Sequence, residues 1–131
     1  MTKRDTGEDS ERSARDRQTL SQTGAYRLSI DTILELLAHK HRRDLLGYLY
    51  DGPAGEPTLD ELAEHVIERE MSVRNERPSR EAVELQLRHI HVPKLAEAGL
   101  LEYDGHDQRV RYHGNDRVER WFERIREAAG E

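Results

Sequence analysis

Apolar residues recur at helical spacing along much of the chain. A first amphipathic helix is predicted to begin after Ser29, and its apolar stripe resumes beyond the polar break at residues 39–41 and stops at residues 51–53. Thr58 and Glu61 fit a capping box, in which each side chain satisfies a backbone donor of the other residue, so a second helix is predicted to start there. Its outer face is expected to be acidic, with Asp60, Glu61, Glu64 and Glu68.

Ser79 is the predicted N-cap of a third helix, whose apolar edge is Val83, Leu87 and Ile90. The opposite, solvent-facing side is predicted to carry Arg80, Glu84, Arg88 and His91. Pro93 predicts a kink or a restart, because it lacks a backbone donor and clashes with the preceding turn. The segment 70–77 lacks a period and is expected to be a loop before this helix.

Beyond Gly99, a predicted C-terminal cap, the period changes from helical to alternating. Residues 101–103 and 110–112 are predicted to pair as a hairpin across the turn at 104–107. A last amphipathic helix follows, and its apolar face consists of Val118, Trp121, Phe122 and Ile125. This face is expected either to fold back onto its own core or to pair with a second chain, and the homodimer is the favoured alternative.

Three helices followed by a hairpin predict a mainly α fold with a small β-hairpin, a winged helix-turn-helix. The expected organisation is one winged-helix domain over residues 25–131, including the C-terminal amphipathic helix. Residues 1–24 are predicted to be a disordered polar tail, because Leu20 is the only large aliphatic residue after Met1.

Composition narrows the possible functions. The chain has 131 residues and no cysteine, which excludes disulfides, thiolate zinc sites and a cysteine nucleophile. It shows no enzyme motif, so no catalytic or cofactor-binding residue is predicted, and it has no long apolar run, so a cytoplasmic location is expected. His39 and His41, like His89 and His91, are two residues apart; on a helix such side chains diverge, and no metal site is expected.

Four segments carry a resemblance to a known family: 28–37, 41–43, 58–63 and, most specifically, 91–104. Together they resemble a haloarchaeal winged-helix domain family of unknown function, which is itself similar to metalloregulator-type (ArsR-like) winged helix-turn-helix repressors. The resemblance covers about residues 28 to 113 and implies the fold and a regulatory role. It implies no metal sensing, because the cysteines of metalloregulators have no counterpart here.

We therefore expect a DNA-binding transcriptional regulator that places its third helix in the major groove and its hairpin wing on the backbone of double-stranded DNA. The predicted DNA contacts are Arg80, Glu84, Arg88, His91 and Lys94 in and after the third helix, Arg109 and Arg111 in the wing, and Lys40, Arg42 and Arg43 in a basic cluster. The wing arginines could instead form cross-strand ion pairs with Glu102 and Asp104. The alternative function is a protein–protein interaction module without DNA binding, because the second helix is acidic and Glu81 and Glu84 share or border the outer face of the third. The net charge of -6 also argues against DNA binding, since nucleic-acid binders usually carry a basic patch.

Overall fold

The structure is a computed structural model that describes residues 27–130. The predicted polar tail over residues 1–24 lies outside the described residues. The element order is α1 (Ile30–Leu37), α2 (Lys40–Asp51), α3 (Leu59–Ser72), α4 (Arg80–Gln86), a π-helical turn (Leu87–His91), α5 (Val92–Glu97), β1 (Leu101–Asp104), β2 (Arg109–Tyr112) and α6 (Asp116–Ala129). None of the helices within residues 27–130 is both long and apolar enough to cross a bilayer.

The first predicted helical stretch is two helices, because His39 adopts an extended backbone conformation between α1 and α2. The end of α1 is held by the next helix: Arg42 donates to the carbonyls of Leu36 and Glu35, and Arg43 donates to that of Leu37. These arginines bond to carbonyls in the last turn of α1, of which that of Glu35 also accepts the N–H of Ala38, and place positive charge at its negative end.

The predicted capping box at the start of α3 is confirmed, with both the Thr58 and the Glu61 side-chain bonds present. The prediction that residues 70–77 form a loop is wrong at its start, since α3 continues to Ser72. Glu70 remains helical because its buried carboxylate bonds to His41 and Lys40 of α2. A charged residue that is buried by distant partners cannot be recognised from local periodicity.

Pro93 produces the predicted restart through a π-helical turn. The N–H of Val92 bonds to the carbonyl of Leu87, five residues earlier, and Pro93 then stands in the first turn of α5, where its missing donor costs little. The end of α5 is followed by Gly99 (φ 83°) in a Schellman arrangement. The N–H of Leu100 donates to the carbonyl of Leu95, and the N–H of Gly99 donates to that of Ala96.

The hairpin has the predicted register, with Leu101 opposite Tyr112 and Tyr103 opposite Val110. The segment before α3 adds a short third pairing on the other side of β2, because Val110 donates to the Pro57 carbonyl and Leu59 donates to that of Gln108. The base of the wing is therefore joined directly to the start of α3.

One hydrophobic core unites the helices and the hairpin. The last helix contributes Val118 and Phe122, which are buried in their own chain, whereas Trp121 and Ile125 are half-buried against the same core. The face that was predicted to pair with a second chain thus folds back, at least in half of its residues, onto its own domain.

Candidate nucleic-acid interface

The outer face of α4 and the π-helical turn is the part of the helix-turn-helix that a DNA groove could reach. Gln86 and His89 are exposed there and Arg88 is half-exposed; within residues 27–130 none of the three has an ion-pair or hydrogen-bond partner. The apolar side chains of Leu85 and Ile90 stand beside them, 52% and 49% exposed. The surface therefore combines an amide, an imidazole, one guanidinium and apolar side chains.

The prediction for Ile90 and His91 is wrong, because the two exchange places. Ile90 was expected on the buried edge and His91 on the outer face, but His91 is only 2% exposed and Ile90 faces solvent. The physical reason is the π-helical turn, which winds more widely than an α-helix and shifts every later position. His91 is therefore not available to a DNA groove in this conformation.

Arg80 is exposed, yet its guanidinium is shared among three carboxylates. It lies 2.7 Å from Glu64, 3.0 Å from Glu84 and 3.5 Å from Asp60, and so joins the start of α4 to α3. Glu84, another predicted contact, serves as one of these partners. This part of the recognition surface carries more negative than positive charge.

The wing arginines are also engaged within the chain. Arg111 lies 3.1 Å from the carboxylate of Glu56 and 3.9 Å from that of Glu102, across the hairpin. Arg109 donates to the Glu56 carbonyl at 2.7 Å. The cross-strand ion pair was one of the two alternatives from the sequence, and the structure contains it for Arg111.

The remaining predicted contacts have intramolecular roles. Lys94 pairs with Glu35 at 3.1 Å, and Lys40 pairs with Glu70 at 3.0 Å. Arg42 is buried, 7% exposed, beneath the end of α1, and so cannot reach a phosphate. Of the predicted DNA contacts, Arg88 alone lies at the surface without a partner among residues 27–130.

Sequence reasoning missed Gln86 and His89, because it searched for the cations that bind phosphate and did not consider amide or imidazole side chains beside them. Their sequence signal was their position beside Arg88 in a helix that follows a predicted turn. Base edges are read by hydrogen bonds and apolar contacts, whereas contacts to phosphate carry no sequence information directly.

A second feature lies beneath this surface, where the rings of His39, His41 and His91 meet. The ring centroid of His39 is 5.1 Å from that of His41 and 4.4 Å from that of His91. The argument that His39 and His41 diverge on one helix is wrong, since His39 is the extended N-cap of α2 and its Nδ1 accepts the N–H of His41 at 3.0 Å.

The electrostatics of this histidine cluster follow from burial and from its charged neighbours. Burial, aided by the nearby Arg42, lowers the pKa of His91 to about 4, and burial also lowers the pKa of His39. Burial alone would raise the pKa of Glu70, but hydrogen bonds from His41 and Lys40 lower it to about 2. Next to the ionised Glu70, the cluster therefore contains two imidazoles, His39 and His91, that burial keeps neutral.

The geometry defines a mainly helical domain with a small antiparallel hairpin, in a winged-helix-like arrangement. The chain belongs to the family described as a domain of unknown function, DUF7344, whose family model matches residues 34–111. The matched range runs from α1 to β2 and includes the outer face of α4, the wing and the histidine cluster. Nothing among the curated proteins or the solved structures matches the chain.

Proposed function

We propose that this protein binds double-stranded DNA as a transcriptional regulator and reads base edges with the outer face of α4 and the π-helical turn. The observation that carries the proposal is the unpartnered group of Gln86, Arg88 and His89 on the helix that a helix-turn-helix presents to the major groove. The resemblance to haloarchaeal winged-helix domains and to metalloregulator-type repressors supports the same conclusion.

The chemistry of this face suits direct readout. An arginine can bond to both acceptors of guanine, and a glutamine can bond in the same way to adenine. The exposed apolar side chains of Leu85 and Ile90 can contact the methyl group of thymine. Gln86 and Arg88 therefore offer base specificity, with His89 as a further donor or acceptor.

The wing is expected to contribute weakly to phosphate binding. To bind a phosphate, Arg111 would have to break its ion pairs with Glu56 and Glu102. The new ion pair with DNA would then replace existing ones, so the net gain in free energy is small. Few counterions are then released from DNA, so affinity should fall less steeply with salt than it does for a protein with many free cations.

The test is a comparison of duplex DNA binding by the full chain and by two charge-matched variants. A random-sequence selection in potassium chloride first identifies a preferred site. Arg88→Ala should weaken binding to that site by at least about tenfold, the loss expected for one base-reading arginine. Arg120→Ala removes the same charge from an exposed position on α6 and should leave affinity nearly unchanged.

Arg80→Ala separates a structural role from a DNA contact. Because Arg80 is held by Glu64 and Glu84, its loss should affect DNA affinity less than the loss of Arg88. If no sequence is preferred at any salt concentration, or if Arg88→Ala and Arg120→Ala bind alike, the DNA proposal is refuted.

The second candidate is a protein-interaction module that has lost DNA binding. The observation in its favour is the excess of carboxylates around Arg80, together with the exposed acidic face of α3, formed by Asp60, Glu61, Glu64 and Glu68. Such a surface would repel phosphate and attract a basic protein. Charge reversal at Glu68, an exposed residue that belongs neither to the capping box nor to the Arg80 contacts, distinguishes the two: it should strengthen DNA binding and weaken binding to a basic partner.

A homodimer through α6, of the kind that DNA regulators with two half-sites often form, would use the half-buried Trp121 and Ile125, since Val118 and Phe122 are buried in the core of their own chain. Light scattering of the wild type and of Trp121→Ala tests this arrangement, and a wild type that stays monomeric at high concentration contradicts it.

A further inference from the structure

Three histidines, two of them buried and His39 half-buried, converge where α2, the end of α3 and the π-helical turn meet. Each of His39, His41 and His91 offers one ring nitrogen, and these nitrogens lie within 4.8 Å of one another. Their side chains come from two separate parts of the sequence, so their convergence is a property of the fold. We propose that these three histidines bind a divalent transition-metal ion such as Zn²⁺, with Glu70 orienting His41.

The side chain of His41 is already held in an orientation that suits a metal ligand. Its ring is buried, 6% exposed, and its Nε2 lies 2.5 Å from the carboxylate of Glu70. In the tautomer that donates its Nε2 proton to this carboxylate, the lone pair of the ring lies on Nδ1. Within residues 27–130 this buried Nδ1 has no hydrogen-bond partner. A carboxylate bound to one ring nitrogen, with the other nitrogen free, is the usual setting of a metal-ligating histidine.

His39 and His91 can supply the other two ligands by exchanging one hydrogen bond each. Nδ1 of His39 accepts the N–H of His41, and Nδ1 of His91 accepts from Arg42 at 3.1 Å. A neutral imidazole has one lone pair, so a bound ion must replace these bonds. Arg42 keeps its two backbone carbonyl partners after the exchange, and the His41 N–H lies in the first turn of α2, next to the half-buried His39 and Lys40.

The size of the required movement is modest. A tetrahedral zinc ion with bonds of about 2.0–2.1 Å places its ligands about 3.4 Å apart, so nitrogens now within 4.8 Å must approach by at most about 1.4 Å. Binding therefore draws the end of the π-helical turn, through His91, towards the start of α2.

The ligand set selects the class of ion. Imidazole nitrogens suit zinc, copper and nickel, whereas magnesium and calcium prefer oxygen ligands. Three protein ligands leave a fourth position for water, as in the open zinc sites of proteins. The nearby positive charges of Lys40 and Arg42 oppose the ion, so its affinity should lie below that of closed four-ligand sites.

The experiment is a titration of the untagged full chain with Zn²⁺, followed by calorimetry, and with Co²⁺, followed by visible absorption. We expect one ion per chain, with the intense visible bands of tetrahedral cobalt. His39→Asn is the decisive variant, since asparagine keeps an N-cap acceptor for α2 and removes the imidazole. It should lower Zn²⁺ affinity at least about tenfold, and Glu70→Gln should lower it by about ten- to a hundredfold.

His89→Asn is the matched control, because His89 is exposed on the same turn as His91 but lies outside the cluster. It should bind Zn²⁺ like the wild type. Failure of the wild type to bind a stoichiometric ion, equal binding by His39→Asn, or an equal loss in His89→Asn would each overturn the proposal. Circular dichroism of every variant checks the fold, and the readout is metal binding alone, so the result is independent of the DNA experiment.

Discussion

Asp44 offers a direct test of what fixes the end of α3 against α2. Its side chain is 1% exposed, and its two oxygens accept from the two terminal nitrogens of Arg74, at 2.7 and 3.0 Å. Arg69 approaches the same carboxylate at 3.4 Å. We therefore expect Asp44→Ala to release the segment from α3 into the following loop.

The magnitude follows from the burial of the two partners. Removal of one member of a buried ion pair costs about 3–5 kcal/mol, because the other charge is left without compensation. Arg74 is 15% exposed and can turn towards Glu70, now 3.5 Å away, so the lower end applies. A loss of about 3 kcal/mol in the free energy of unfolding corresponds to a fall in Tm of at least about 12 °C for a domain of this size.

Urea denaturation, followed by circular dichroism and by the fluorescence of Trp121, measures this loss. The control is Asp51→Ala, which breaks an ion pair of the same type, with Arg126, at a position where the aspartate is 47% exposed. That pair should contribute less than about 1 kcal/mol. If Asp44→Ala costs no more than Asp51→Ala, burial is not what gives the Asp44 pair its strength, and the reasoning fails.

Three further outcomes are expected. Raising potassium chloride from dilute to molar should raise Tm, because a net charge of -6 repels itself over a Debye length of about 30 Å at 0.01 M but only about 3 Å at 1 M; an unchanged or falling Tm contradicts this. Burial lowers the pKa of His65, as it does those of His39 and His91, so the unfolded chain takes up protons at a higher pH than the folded chain and stability should decrease from pH 7 to pH 5.5; urea melts should show a smaller decrease for His65→Gln. Gly99→Ala should cost about 1–2 kcal/mol, because Gly99 has a φ of 83°; calorimetry measures the loss, and Gly105→Ala, at a glycine without a positive φ, is the control that should cost less.

Local sequence signals predicted those elements whose partners lie nearby in the chain. The capping box at Thr58 and the αL cap at Gly99 need only a few neighbouring residues, and both are present. The hairpin register was predictable because alternation and a short turn fix which side chains oppose one another, as Leu101 and Tyr112 do.

Most of the errors arose where a residue distant in the sequence decides the outcome, whereas the error at His91 has a local cause. His91 is buried because the π-helical turn shifts the helix face, and that turn is a response to Pro93. The segment around Thr58 pairs with β2 through backbone hydrogen bonds, and side-chain periodicity does not predict such bonds. The sequence pattern predicts Arg42 as a surface cation, but its guanidinium is buried and donates to backbone carbonyls at the end of α1.

The arginines show why charge was a poor guide to the candidate interface. All but three of the 21 basic residues are arginine, and the planar guanidinium can cap several carbonyls or bridge several carboxylates at once. Arg42 caps α1, Arg74 holds Asp44 and Arg80 links α4 to α3. Cations used in this way stabilise the fold and are not free for phosphate.

The consequence is that recognition and metal binding, as proposed, meet in a single turn of helix. The π-helical turn directs His91 inwards to the histidine cluster, while Arg88 and His89 of the same turn lie towards solvent. A movement of about 1 Å at His91, of the size required for ion binding, must carry this turn with it, because the backbone between these residues is continuous. Base contacts depend on distances of the same scale, so DNA affinity measured with and without Zn²⁺ should differ in the wild type. The difference should vanish in His39→Asn, which keeps the outer face of the turn intact; equal affinity in the wild type with and without bound Zn²⁺ would show that the two sites act independently.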